Sequence, residues 1–169
     1  MSKPNDVWNS GDPYEFFMGR WSSLLAPEFL SWLQFPKTKS WLDLGCGTGA
    51  LSEAINTKCE PSYLASVDPS DAFLNKANQR LNGKAEFFIA TASSLPFPDR
   101  TFDVVVSGLA LNFFPDLNRA FLEMKRILKP EGTIAAYVWD YSGKMEFLRI
   151  FWDAAVELDP EASHLDEGV

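Results

Sequence analysis

"LDLGCGTGALS", Leu42 to Ser52, sets three glycines at alternate positions, Gly45, Gly47 and Gly49, directly after a short apolar run. Glycine tolerates positive φ and has no Cβ to hold a neighbour away, so the spacing predicts a bend that something approaches closely. Upstream, "SWLDL" (Ser40 to Leu44) reads as a buried strand, and downstream "ALSEAINTK" reads as a helix. A helix that starts at the bend points its free N–H groups at the same spot. A tight strand-to-helix turn without any ligand is the competing reading of a lone Gly-x-Gly.

Working outward, strands and helices alternate. Tyr63 to Asp68 predicts a second strand, followed by a helix opened by Pro69 and Ser70, with Ala72, Phe73, Ala77 and Leu81 on one face and Asn82-Gly83 as its stop. Ala85 to Ala90 predicts a third strand, "TASSLPFPDRT" a loop, and Phe102 to Gly108 a nearly all-apolar fourth strand covered on both faces. Leu117, Ala120, Phe121, Met124, Ile127 and Leu128 recur at helical spacing, and Pro130 with Gly132 ends that helix. Thr133 to Asp140 predicts a fifth strand and Lys144 to Asp159 a last helix. Ahead of the first strand, Tyr14 to Leu33 predicts one or two short helices, with Pro27 in the first turn of the second. The expected class is α/β: a Rossmann-like, doubly wound, mainly parallel sheet of five strands in order 3-2-1-4-5, with helices on both faces. The expected divisions are an arm and helices over residues 1–39, a core over 40–140, and a helix with an acidic tail over 141–169.

Composition narrows the function. The 169 residues carry a formal net charge of -8, with 46% hydrophobic and 22% charged residues, as in ordinary globular domains. An acidic surface repels phosphate, so nucleic acid and anionic membrane are not expected partners; "MKRILK" (Met124 to Lys129) reads as a solvated helix face. The start lacks the apolar stretch of a signal peptide, no run approaches membrane-spanning length, and Cys46 and Cys59 fit no metal spacing, so the expected location is cytoplasmic with no metal. The one histidine, His164, lies in the acidic tail, which excludes a Ser-His-Asp or Cys-His machine inside the domain unless the tail folds back.

Two acids give the bend a chemistry. Asp68 ends the second strand, where a carboxylate can accept both hydroxyls of a ribose or, alternatively, cap the next helix. "GCGTGA" also satisfies a dinucleotide pattern with Ala50 as the last small residue, which leaves NAD open. Asp43, two residues before the first glycine, argues the other way, because a carboxylate there repels a pyrophosphate and attracts an ammonium group.

"LDLGCGTGALS", "VDPS", "LPFPDRTFDVVVSGLALNFFPD" and "RILKPEGTIAAYVW" follow one another in the order and spacing of the signature blocks of class I S-adenosylmethionine (SAM)-dependent methyltransferases. The chain resembles that family over roughly Ser40 to Asp140, and in particular its small-molecule group with a methyltransferase type 11-like domain. The resemblance implies SAM as cofactor, S-adenosylhomocysteine as product and a small molecule as methyl acceptor. It sets Asp43, Gly45 and Gly47 against the methionine part of SAM, with Asp43 near the ammonium. Asp68 would hold the ribose hydroxyls and Pro69 the adenine. Thr91 stands where the family usually has an acid for the adenine amino group, and Ala92 would give a backbone N–H to the ring. Gly108 and Leu109 would line the methionine side near the methyl. Arg20 falls where some relatives place an arginine on the SAM carboxylate, a surface salt bridge being its other reading. Tyr14 counts among the cofactor-side residues, with core or lid packing as its alternative.

The resemblance assigns no catalytic residue; Asn112, Asp140 and Tyr141 lie near the expected acceptor side. Exchange of Ser52 is expected to leave cofactor binding unchanged. The family usually continues with two further strands, so the apolar strand "TIAAYVWD" would here form an edge. A longer parent chain, a partner or second copy over that edge, and a natively short protein are the three expectations. A non-catalytic SAM-binding or interaction module, and less readily an NAD-dependent oxidoreductase, are the alternative functions.

Overall fold

In the computed structural model, which describes residues 19–166 and 168, the glycine bend connects the middle strand of a parallel sheet to the helix that covers it. The elements are α1 (Arg20–Leu33), β1 (Ser40–Leu44), α2 (Ala50–Cys59), β2 (Tyr63–Asp68), α3 (Asp71–Leu81), β3 (Glu86–Ile89), β4 (Phe102–Gly108), α4 (Leu117–Ile127), β5 (Leu128–Tyr137) and α5 (Glu146–Leu158), with short 3-10 turns at Leu111–Phe113 and Pro160–Leu165. All strand pairs are parallel and the order is β3-β2-β1-β4-β5, the expected doubly wound arrangement.

All five residues of β1 are buried, as a strand needs to be when helices cover both faces of the sheet. Its side chains alternate between two cores. Leu42 and Leu44 face Ala65, Val67, Val105 and the Ala120, Met124 and Ile127 stripe of α4. Trp41 faces the other way, toward Ala26, Phe29 and Leu30 of α1 and Leu51, Ile55 and Cys59 of α2. Among the described residues no helix is long and apolar enough to cross a membrane.

Several local expectations are corrected. Residues 20–33 form one helix, within the one or two expected, and Pro27 lies inside it rather than in a first turn. The inward face of α3 is Leu74, Ala77 and Leu81, leaving Ala72 exposed and Phe73 half-buried. On α4 the buried stripe is Ala120, Glu123, Met124 and Ile127, whereas Leu117 and Phe121 are about half exposed. β5 starts as soon as α4 ends: Leu128 pairs with Phe102, the chain bulges over Lys129–Gly132, and Thr133 resumes pairing opposite Val104. Pro130 sits in that bulge, where its missing N–H breaks no ladder bond. Among the described residues β4 is the only strand neighbour of β5.

"MKRILK" is not simply a solvated face. The Arg126 guanidinium grips the Glu123 carboxylate (Nε–Oε1 2.9 Å, Nη2–Oε2 2.8 Å), donates to the carbonyls of Phe97 and Leu95 (2.7 and 3.1 Å), and reaches Asp99 (3.0 Å). Glu123 in turn accepts from the Leu95 N–H at 2.8 Å, and these bonds hold its carboxyl down at about 2. The loop after β3 is thereby tied to α4. Lys129 likewise bonds Asp103 at 3.0 Å and Ser40 at 3.1 Å.

The described residues after Tyr137 form a second unit. Within it, Asp140 Oδ2 accepts from the Lys144 N–H at 3.0 Å, and the Arg149 guanidinium forks onto the Asp166 carboxylate.

Replacing Arg126 by Ala leaves Glu123 and two carbonyls without their donor. Since the guanidinium is about a third exposed, a loss of about 1–3 kcal/mol is expected. Lys at 126 should recover less than half, because a point charge cannot serve four acceptors. Urea unfolding midpoints of the three proteins check this.

Candidate cofactor site

The bend is built from the backbone upward. Gly45, Gly47 and Gly49 all have positive φ, at 73°, 53° and 87°. At Gly45 an added Cβ would lie 2.5 Å from the Ala110 Cβ, and at Gly49 one would lie 2.9 Å from the Ala77 Cβ, so neither position admits a side chain. The N–H groups of Gly45 and Cys46 both donate to the Val67 carbonyl (2.8 and 3.0 Å), which staples the bend to the end of β2.

Two buried carboxylates flank it. Asp68 Oδ2 accepts from the Gly47 N–H at 3.0 Å and Oδ1 accepts from the Ser70 N–H at 2.8 Å. The cap of α3 is Ser70, whose hydroxyl accepts from the Phe73 N–H, so the capping alternative for Asp68 is not needed. A carboxylate has about four lone-pair sites, so each Asp68 oxygen keeps room for one further donor. Burial pushes its pKa up, against the two backbone bonds.

Asp43 is fully buried on the α1/α2 side of β1, directly opposite Ser66 of β2 in the strand register. Its Oδ2 accepts from the Ser52 hydroxyl at 2.6 Å, whereas its buried Oδ1 has no hydrogen-bond partner. Burial pushes its pKa up to about 7, with the nearby Asp68 charge adding and the Ser52 bonds opposing. A cavity of about 20 Å³, room for about one water, adjoins it, lined among others by Ser22, Gly45, Thr48, Gly108 and Tyr137. Burial and the two acids also push the Cys46 thiol up, which keeps it un-ionised and inert.

The other expected residues fall as follows. Pro69 and Thr91 are exposed and Ala92 is buried, on the two loops that follow β2 and β3. Gly108 ends β4 against the Tyr137 ring, where an added Cβ would lie 2.5 Å from the phenol oxygen. Leu109 is buried with φ 59°, a strained left-handed conformation for a leucine, and its N–H donates to the Tyr137 carbonyl at 2.8 Å. Asn112 is exposed in the 3-10 turn, and Asp140 and Tyr141 belong to the second unit. Arg20 opens α1, but its side chain lies outside the described residues, as does Tyr14. The bend therefore gathers Asp43, Gly45, Gly47, Asp68, Gly108 and Leu109.

Ser52, expected to be indifferent to cofactor binding, and Ser66, not singled out by its sequence context, both belong to the site. Ser52 lies in the first turn of α2 and is wholly buried, touching both Asp43 and the Ser66 hydroxyl, so it cannot serve as an indifferent control position. The available signal was a polar residue at an inward position of each of two neighbouring elements.

A parallel sheet with a glycine bend and a strand-end acid at its centre defines a nucleoside-binding α/β domain. Residues 42–136 match the family model described as "Methyltransferase domain". The chain is 29% identical over 147 residues to an uncharacterised methyltransferase of Schizosaccharomyces pombe, covering 79% of this chain and 53% of that protein. It is 35% identical over 108 residues to the demethylmenaquinone methyltransferase of Bacillus licheniformis, covering 60% and 45% respectively. Among solved structures, a methyltransferase in complex with the Haloferax volcanii methyltransferase activator superposes with a TM-score of 0.75 at 21% identity, over 90% of this chain and 73% of that one. The chain belongs to the methyltransferase domain family. It spans about half the length of the curated relatives it matches.

Because Asp43 holds a proton up to about pH 7 in the native state but ionises near 3.8 when unfolded, the native state binds more protons between those values. Stability contributed at this site therefore falls as pH rises from about 4 to 7 and is level above. Asp43→Asn, neutral throughout, should lie within about 1 kcal/mol of the wild type near pH 4.5 and exceed it at pH 8, by up to about 4 kcal/mol for a shift of about three pH units. Urea midpoints at the two pH values check this; a variant less stable at pH 8 contradicts it.

Proposed function

We propose that this chain binds SAM at the glycine bend and transfers its methyl group to a small-molecule acceptor. The carrying observation is the unpaired, buried Oδ1 of Asp43 beside a bend that excludes side chains. A buried acceptor without a donor is costly, and a ligand ammonium, directly or through the water that the cavity can hold, supplies one. Across the bend, Asp68 retains acceptor sites for the two hydroxyls of a ribose. The exposed Pro69 and Thr91 leave the adenine side open to solvent. On the amino-acid side the space over Gly45 is taken by Ala110 and Phe114, so a ligand tail seated there displaces the segment after Leu109.

SAM brings a methyl group already activated on a sulfonium, so the protein's task is alignment and exclusion of water. Asp43 and Asp68 would fix the two ends of the donor, with the Gly47 N–H holding Asp68 in place. Gly108 and Leu109 would form the wall toward the acceptor. Thr91, a neutral hydroxyl, would hold the adenine amino group less firmly than an ionised acid. The matched relatives bear names with different acceptors, a demethylated menaquinone in one and a malonylated carrier protein in another. What they and this chain have in common is the half in which a shared donor would sit. A dinucleotide is disfavoured, because two carboxylates flank the place where a pyrophosphate would lie.

Thermal shift with SAM, S-adenosylhomocysteine and NAD is the test. Stabilisation by the first two and not by NAD is expected, since a ligand confined to the native state raises apparent stability. Asp68→Ala should weaken S-adenosylhomocysteine about 10–100-fold, the loss of one or two bonds to a charged acceptor. Stabilisation by NAD alone would overturn the reading.

A further inference from the structure

The hydroxyl pair beneath the bend has a direction that follows from counting protons. Ser52 has a single O–H, and its 2.6 Å contact is to a carboxylate oxygen, which when ionised can only accept. The Ser52–Ser66 contact of 2.8 Å must then be donated by Ser66. The result is a chain Ser66→Ser52→Asp43 that ends on Oδ2 and leaves Oδ1 without a partner, on a side chain that lines the cavity at the bend. Each hydroxyl polarises the next, so the bond reaching the carboxylate is stronger than a lone serine would make. Both serines are wholly buried, so water does not stand in for either.

Resting on the SAM reading above, we propose that Ser52, backed by Ser66, is a positioning residue that holds Asp43 ionised and directs its Oδ1 at the ligand ammonium. Without that bond, burial and the facing acid favour the protonated carboxyl, which has no charge to offer a cation. Among the described residues, the titratable groups facing Asp43 are Asp68 at the end of β2, Cys46 in the bend and Tyr137 on β5. α1 and α2 present the hydroxyls of Ser22 and Ser52, and β4 presents Val106 and Gly108. Burial keeps the Cys46 thiol un-ionised, and Asp68 and Tyr137 are present in every variant considered. A change that follows Ser52 is therefore a change in Asp43.

The test measures S-adenosylhomocysteine affinity by titration calorimetry for wild type, Ser52→Ala and Ser66→Ala between pH 5.5 and 9. Titration of the ligand itself cancels in the ratio of Kd values. If loss of the Ser52 hydroxyl raises the Asp43 midpoint by about one pH unit, from about 7, the ratio of variant to wild type is about 9 at pH 6, about 5 at pH 7 and close to 1 at pH 9. Ser66→Ala should move the ratio in the same sense and less far. A ratio that does not vary with pH, as loss of packing alone would give, overturns the proposal, and so does a ratio of 1 throughout. Carboxyl-carbon NMR titration of Asp43 in the ligand-free chain provides a second readout, with the midpoint about one unit higher in Ser52→Ala. If the wild type binds no S-adenosylhomocysteine at any pH, the SAM reading fails by itself, and an unmoved NMR midpoint in Ser52→Ala then removes this inference as well.

Discussion

A carboxylate in the middle strand of a parallel sheet has to be compensated by whatever surrounds it, and most of the site follows from that requirement. Asp43 occupies a position on β1 that the strand alternation would give to an apolar side chain, between Trp41 and the bend. It is buried from bulk solvent, and among the described residues no cation lines the cavity beside it. One oxygen is satisfied by a hydroxyl delivered by the first turn of α2, which is where a helix starting at Ala50 places residue 52. The second hydroxyl comes from Ser66 because the β1–β2 register sets it opposite Asp43. The remaining oxygen is unsatisfied inside the protein, and a buried polar atom in that condition marks a place completed by something else.

The glycines make sense in the same frame. The bend has to clear β1, turn into α2 and leave its N–H groups free to brace β2 and Asp68. Positive φ at three alternate positions accomplishes the turn, and the absence of Cβ atoms lets Ala110 and Ala77 pack to within contact of the backbone. Asp68 is thus held by the bend through Gly47, while Asp43 lies beneath it. The Asp68 charge adds to the rise in the Asp43 pKa, so ionisation of Asp43 is easier with a cation between them. A zwitterionic amino-acid tail joined to a nucleoside has a positive group at one end and a diol further on, which is the charge and hydrogen-bond pattern the two carboxylates complement.

How far this was legible in the chain depended on whether a residue's role is local or set by register. The strand alternation, the bend, Asp43 and Asp68 all follow from short-range pattern: an apolar run, glycine spacing, an acid at a strand end. Ser52 and Ser66 are common residues whose one local signal, a polar side chain at an inward position, names no partner, and their role emerges only once β1, β2 and α2 are placed together. Arg126 misled for a related reason. In "MKRILK" it reads as one cation of a solvated face, whereas its partners Leu95, Phe97 and Asp99 lie some thirty residues away on a loop. Helical spacing likewise could not tell that Glu123 would turn inward while Leu117 and Phe121 stayed half exposed, because Glu123 is drawn in by Arg126 and the Leu95 N–H. Local hydrophobic periodicity resolves which elements exist, and it resolves less well which polar residues are their fasteners.

The energetic sign of Asp43 separates a structural from a functional explanation of the site. If the acid served the fold, its folded-state pKa would be depressed, as that of Glu123 is by Arg126 and that of Asp103 by the Ser40 hydroxyl and N–H together with Lys129. Those two carboxylates stabilise the native state above their unfolded pKa values and tie strands and loops together. Asp43 behaves oppositely: burial raises its pKa, so near neutral pH its charged form works against the folded state. Neutral side chains of similar size would fill the position at less cost. Retaining a carboxyl there, with two buried hydroxyls recruited to moderate its pKa, is consistent with a ligand that interacts with the ionised form and returns the stability when it binds. Asp43 and Glu123 are both buried acids of one small domain, and the sign of their pKa shifts separates the one that holds a loop from the one proposed to face a ligand.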